Sequence, residues 1–177
     1  RGLSDGDREA WPEWPDATVI VECAPLPLAA RAKSYRDGIE VITPSVRRVA
    51  PEMASPRAKT HNYLNLILGD LEVAAQNPNA LSILLDRDGN LAEGKGSNIF
   101  LVAEGRLKTP RERFVLPGVS RQVTKEVAIG LGLEVEETDI DLFDAYNADE
   151  AFITSTSFCI CPIRSINGRA MAADSIP

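Results

Sequence analysis

Lys59 opens the segment Lys59-Thr-His-Asn-Tyr-Leu64, and the glycine-rich stretch Glu93-Gly-Lys-Gly-Ser-Asn-Ile-Phe100 follows it. A lysine amine can form an imine with an aldehyde and then shuttle a proton, once burial or a nearby cation lowers its pKa. A carboxylate such as Glu93 can keep a basic group that faces it in its protonated form. Further on, Leu116-Pro-Gly-Val-Ser-Arg121 leads into an apolar-periodic stretch. Helix N-termini gather anions through free amides and the helix dipole, so Gly118, Val119 and Ser120 could meet an anion, with the Ser120 hydroxyl adding a donor. Thr154-Ser-Thr-Ser157 supplies more hydroxyls. Read singly, each segment has a plainer meaning: a solvated lysine, a turn carboxylate, an N-cap serine, a polar turn. His61, the sole histidine, excludes any arrangement that needs two and reads as a satisfied structural residue.

These residues need elements to carry them. Trp11-Pro-Glu-Trp-Pro15 predicts an irregular loop, because prolines remove amide donors. Residues 18–22 and 38–43 are short and β-branched, which predicts two strands of one sheet separated by the Pro/Ala stretch 24–30. Pro44, Pro51 and Pro56 keep the chain extended as far as Lys59. Leu64, Ile67, Leu68, Leu71, Ala74 and Ala75 fall at helical spacing, predicting a helix over 62–76 with that face buried and Asn77-Pro-Asn79 as its stop. Residues 81–85, 98–102 and 106–109, with turns at 86–89 and 104–105, predict an antiparallel meander. A second amphipathic helix should run to Leu131 with Val123, Val127, Ala128 and Leu131 on one face. A strand at 133–137, a short helix at 142–146, a strand at 150–155 and a hairpin at Asn167-Gly168 complete an α+β fold.

With 177 residues and 44% hydrophobic content the chain can bury one sizeable core. Its net charge of -7 argues against nucleic acid as a partner, and Arg47-Arg48 and the Arg111/Arg113 pair read as solvated surface. No run approaches the roughly 18 apolar residues of a membrane span, so a soluble cytoplasmic protein is the expectation. Cys23, Cys159 and Cys161 form neither a disulfide set nor a zinc spacing; they read as reduced, buried small residues, although Cys159 and Cys161 would share one side of an extended segment.

Taken together and in order, the Lys59, Glu93, Gly118 and Thr154 segments resemble the class IV (fold type IV) aminotransferases. That family includes branched-chain and D-amino-acid aminotransferases, (R)-selective amine transaminases and aminodeoxychorismate lyase. The resemblance runs from about Thr18 to the end of the chain. It implies an antiparallel-rich sheet or barrel with packed helices, and pyridoxal 5′-phosphate as cofactor. Lys59 is then the Schiff-base lysine, Glu93 the partner of the pyridine nitrogen, and Tyr63 the partner of the ring oxygen. Gly118, Val119, Ser120 and Thr156 hold the phosphate, and Ser157 and Phe158 face substrate. The Lys-x-x-Asn spacing at Lys59–Asn62 is more like the D-amino-acid and lyase branches than the branched-chain one. Transfer of an amino group between an amino acid, branched-chain first, and a keto acid is the leading expectation, in a homodimer. A lyase releasing pyruvate and a non-catalytic ligand-binding relative are the alternatives. The resemblance also implies that residues 1–17 are a connector, that 18–177 are the cofactor-binding large domain, and that a small N-terminal domain and a C-terminal end are absent.

Overall fold

In β1 (Ile39–Ile42), Ile39 and Val41 turn inward while Glu40 and Ile42 stay half-covered, the alternation that makes a strand half-buried. β1 belongs to a computed structural model that describes residues 19–172; the loop and connector expected before them lie outside the described residues. The remaining elements, in chain order, are α1 (Leu28–Asp37, preceding β1), α2 (Leu64–Gln76), β2 (Leu81–Ser82), β3 (Asn98–Ala103), β4 (Arg106–Pro110), α3 (Val119–Gly130), β5 (Glu134–Thr138), α4 (Leu142–Asn147), β6 (Glu150–Ser155), β7 (Cys159–Ile166) and β8 (Arg169–Ala170). This is the expected α+β class. The strands form one sheet in the order β2-β1-β7-β6-β3-β4-β5, with β8 on β7; among the described residues it stays open and does not close into a barrel.

Pairing in the sheet is mixed. β3–β4, β3–β6, β6–β7 and β7–β8 are antiparallel, whereas β1–β2, β1–β7 and β4–β5 are parallel. Parallel neighbours need crossovers, which α2 supplies between β1 and β2 and α3 between β4 and β5. The main core gathers Val41, Ile83, Leu91, Ile99, Leu101, Ile140, Ile153 and Ile166, all essentially solvent-free. On the opposite face of β3, Phe100 stacks on Phe152 with ring centroids 5.1 Å apart. β3 is therefore apolar on both sides, like a strand covered from both faces.

Several expectations change. Residues 19–22 form no strand: Val19, Ile20 and Val21 are more than 80% exposed. The Pro/Ala stretch instead ends in α1, whose alanines, arginines and lysine favour helix without an apolar stripe to announce it. The segment 81–85 does not join a meander, because β2 pairs in parallel with β1. Leu84 and Leu85 turn back on themselves through Leu84 N to Glu93 O (3.0 Å), Ala92 N to Leu84 O (2.9 Å) and an isolated bridge between Leu85 and Leu91.

α2 turns the opposite way from the expectation, and of the apolar residues expected on one face of α3 only Ala128 is buried. α2 buries Leu66, Gly69 and Val73, leaving Leu64, Ile67, Leu68 and Leu71 exposed. Gly69 explains the choice, because a Cβ there would stand 2.9 Å from Leu84 Cδ1 and 3.2 Å from Pro44 Cγ. α3 buries Arg121, Thr124 and Ala128 while Val123, Val127 and Leu131 face out. Arg121 decides that face: it is 1% exposed, donates to Pro110 O at 2.8 Å and meets Glu137 Oε2 at 3.1 Å. A buried guanidinium needs these partners, and they lie only on the sheet side. Among the described residues no helix is long and apolar enough to cross a membrane.

Gly69→Ala should lower stability by about 1–3 kcal/mol, the usual cost of overpacking. Denaturant unfolding checks this, and an unchanged midpoint would mean that α2 can move off β2 freely.

Candidate active site

The antiparallel register of β3 and β6 sets Asn98 opposite Thr154. That single pairing brings the turn before β3, which carries Glu93, beside the end of β6, which carries Thr154–Thr156. The loop before α2 and the turn before α3 close the same end of the sheet. Between them lies a cavity of about 360 Å³ lined by Lys59, Tyr63, Glu93, Gly118, Val119, Ser120 and Thr156, among others. Segments far apart in the chain thus converge as expected.

Each residue has a definite setting. Lys59 is exposed at the cavity, and its Nζ lies 3.4 Å from the Oη of Tyr63, the N-cap of α2. Glu93 is 4% exposed. Its Oε1 accepts from Arg48 Nε at 2.8 Å and its Oε2 from the Leu116 amide at 2.9 Å. Burial pushes the Glu93 carboxyl above its ordinary range, and Arg48, the Leu116 amide and Lys59 pull it back down without cancelling the rise. Gly94 makes the turn possible, since a Cβ there would sit 2.6 Å from Ser97 Oγ and 2.8 Å from Ser82 O.

The anion cup is built from backbone. Gly118 is the N-cap of α3 and Ser120 its second residue, so Ser120 is not the N-cap that local reading suggests. The first amides of a helix have no acceptor within it and point along the dipole axis, here into the cavity mouth. Asn98 pins this turn: its Nδ2 donates to Leu116 O at 3.0 Å, and its Oδ1 fills the space a Cβ at position 118 would need. Leu116 is therefore held through its amide by Glu93 and through its carbonyl by Asn98. On the far wall the Thr154 hydroxyl is buried with no hydrogen-bond partner. An amine, a buried carboxylate, a helix N-terminus and an unpartnered hydroxyl fit a ligand with an aldehyde, a basic ring nitrogen and a phosphate.

Not every expected residue lines this cavity. Ser157 and Phe158 stand apart from the cavity wall, turned toward α1. The Ser157 carbonyl accepts from Arg31, the Phe158 carbonyl from Tyr35 Oη at 2.9 Å, and the Arg31 guanidinium lies 4.3 Å from the Phe158 ring centre. They staple α1 to the β6–β7 turn. His61 is exposed, not a buried structural residue. Cys161 is buried and its thiol is pushed up to about 11 by desolvation, whereas Cys159 is exposed with a φ of 54° that breaks the strand alternation. Only Cys161 behaves as a small core residue, and the two do not share a side. Arg48 was expected on the surface beside Arg47, yet its side chain is only 12% exposed. Nothing local in the sequence marks it, since its partner lies 45 positions away.

The comparisons agree with this geometry. The family model for class IV amino-transferases matches residues 1–166. The branched-chain-amino-acid aminotransferase of Escherichia coli K12 is 35% identical over 152 residues, covering 85% of this chain and 49% of that protein. The crystal structure of the E. coli enzyme superposes with a TM-score of 0.77 at 34% identity, covering 82% of this chain and 48% of that one. The branched-chain aminotransferase of Thermobaculum terrenum, solved in its PLP form, gives 0.72 at 36% identity, covering 77% and 45%. Fold and site together define a fold type IV aminotransferase domain. The chain belongs to the class IV aminotransferase family, and it spans about half the length of these relatives.

The raised Glu93 carboxyl makes a prediction about stability. Between the ordinary glutamate range and the value in the fold, the folded chain keeps a proton that the unfolded chain has released, so stability falls as pH rises through that window. Glu93→Gln should flatten this slope in denaturant unfolding at a series of pH values. Equal slopes in native and variant proteins would contradict the assignment.

Proposed function

We propose that the protein containing this chain is a pyridoxal-phosphate-dependent transaminase that moves an amino group between an amino acid, branched-chain first, and a 2-keto acid. One observation carries the reading: the Lys59 amine, the buried Glu93 carboxylate and the N-terminus of α3 line one cavity. The E. coli and T. terrenum relatives are named branched-chain aminotransferases, which supports the substrate class.

Pyridoxal 5′-phosphate, when bound, supplies an aldehyde and a conjugated ring that accepts the electron pair left as the substrate Cα–H bond breaks. The chain's residues do the rest. Lys59 Nζ would hold the aldehyde end of the cofactor and, once the amino donor has taken its place there, would carry the proton taken from the substrate Cα. Tyr63 Oη, next to Lys59 Nζ, orients the ring oxygen. Glu93 holds the ring nitrogen protonated. The amides of Val119 and Ser120, opened by Gly118, hold the phosphate with the Ser120 and Thr156 hydroxyls. The bare, backbone-built cup suits a dianion because its donors are already oriented before binding.

A homodimer belongs to the same reading, supported by the apolar residues that α2 and α3 leave exposed and that need a covering surface. A cytoplasmic location, expected where the sequence carries no long apolar run, belongs to the same reading.

Borohydride reduction of the complete protein loaded with pyridoxal phosphate should trap the cofactor on the peptide carrying Lys59. Lys59→Ala should abolish the adduct and lower kcat by at least about a thousandfold. In a panel of L-branched-chain amino acids, D-amino acids and (R)-amines, the first should be the best donors. Pyruvate release without a keto-acid acceptor would instead indicate a lyase, and an adduct on another lysine would end the reading.

A further inference from the structure

The Glu93 carboxylate is held by a second residue of the cavity wall, Arg48. Arg48, which donates from Nε to Glu93 Oε1 at 2.8 Å, is itself held on both sides of its backbone. Its own amide donates to Leu85 O at 2.8 Å, tying it to the turn that precedes Glu93. Asn65 of α2 then spans it: Nδ2 donates to Arg47 O at 2.6 Å, and Oδ1 accepts from Val49 N at 3.0 Å. A long flexible side chain normally loses much of an ion pair's benefit to lost rotamer freedom. Here the root is fixed by α2 and by the 85–93 turn, and the side chains of both partners are at most 12% exposed.

Other charges near Glu93 do not have this geometry. Lys59 is exposed across the cavity, and the Lys95 amine is committed to Asp70 at 2.5 Å. The Leu116 amide engages the second carboxylate oxygen but carries no net charge. A carboxylate this buried is costly as an anion unless a fixed cation faces it, and Arg48 is the cation that touches it. The planar guanidinium also sets a direction that a point charge cannot.

We propose that Arg48 is a positioning residue that fixes the Glu93 carboxylate as an anion aimed into the cavity, with Asn65 holding Arg48 in place. The inference rests on the cofactor reading above for its consequence, which is the protonation of the ring nitrogen. Without Arg48, Glu93 takes up a proton itself more readily and no longer favours an N–H donor in front of it. Arg48 also lines the cavity, and in this scheme it acts through Glu93.

The test uses the complete protein with the variants Arg48→Met, Arg48→Lys and Asn65→Ala, their folding checked by circular dichroism. Without cofactor, carbon NMR of the labelled Glu93 carboxyl across pH should show it binding its proton at higher pH in Arg48→Met than in the native protein. Arg48→Lys should restore part of the difference. With pyridoxal phosphate labelled at its ring nitrogen, the nitrogen shift should move toward the unprotonated value in Arg48→Met. kcat should fall at least about tenfold with KM little changed. If Arg48→Met does not fold, Asn65→Ala should show the same direction with smaller size. A folded variant in which both the carboxyl titration and the ring-nitrogen shift match the native protein would overturn the inference while leaving the cofactor reading intact. If the native protein takes up no pyridoxal phosphate, the cofactor reading fails separately, and the carboxyl titration alone decides whether Arg48 governs Glu93.

Discussion

The site hangs on the register between β3 and β6. With Asn98 opposite Thr154, the Glu93 turn and the hydroxyl-bearing end of β6 must share one end of the sheet. A shift of one residue would turn Asn98 to the other face, because side chains alternate along a strand. Asn98 would then lose the Leu116 carbonyl, and the turn that opens α3 would lose its anchor. The register is itself protected by burial: Ile99 and Leu101 enter the main core while Phe100 stacks on Phe152 behind it. Packing on both faces of β3 thus sets the geometry of a cavity at its end.

Leu116 joins the two halves of that cavity. Its amide serves the acid and its carbonyl serves the asparagine that holds the anion cup. The distance between the carboxylate and the helix N-terminus is therefore set by two hydrogen bonds that the buried Glu93 and Asn98 side chains make to one residue. In the proposed reading, a ligand bearing a ring nitrogen at one end and a phosphate at the other would meet a span already established, sparing the ordering cost of assembling it on binding.

Two buried arginines show how charge selects structure here. Arg121 is sequestered between β4, β5 and the turn before α3, and this draws the polar side of α3 inward and leaves its valines outside. Arg48 is sequestered against Glu93. In both cases a helix or loop is oriented by the need to pair a buried cation, a demand stronger than the burial of one more aliphatic side chain. The outward Leu64, Ile67, Leu68 and Leu71 of α2 follow from a different cause, the close approach that only Gly69 permits.

What the amino-acid sequence determined by itself was the set of candidate site residues and most of the elements. The helical spacing over 64–76, the turns at glycine, the strands around Phe100 and Ile153, and the order of lysine, glutamate, helix-opening glycine and threonine are all local patterns, legible because each depends on neighbours a few residues away. The direction in which each amphipathic helix faces, the parallel pairing of β2 with β1, the withdrawal of Ser157 and Phe158 toward α1, and the burial of Arg48 were decided only by the tertiary structure. Periodicity states that a helix has two faces but not which one meets the sheet, and a charged residue looks solvated until its partner, 45 positions along the chain, is brought within hydrogen-bond reach.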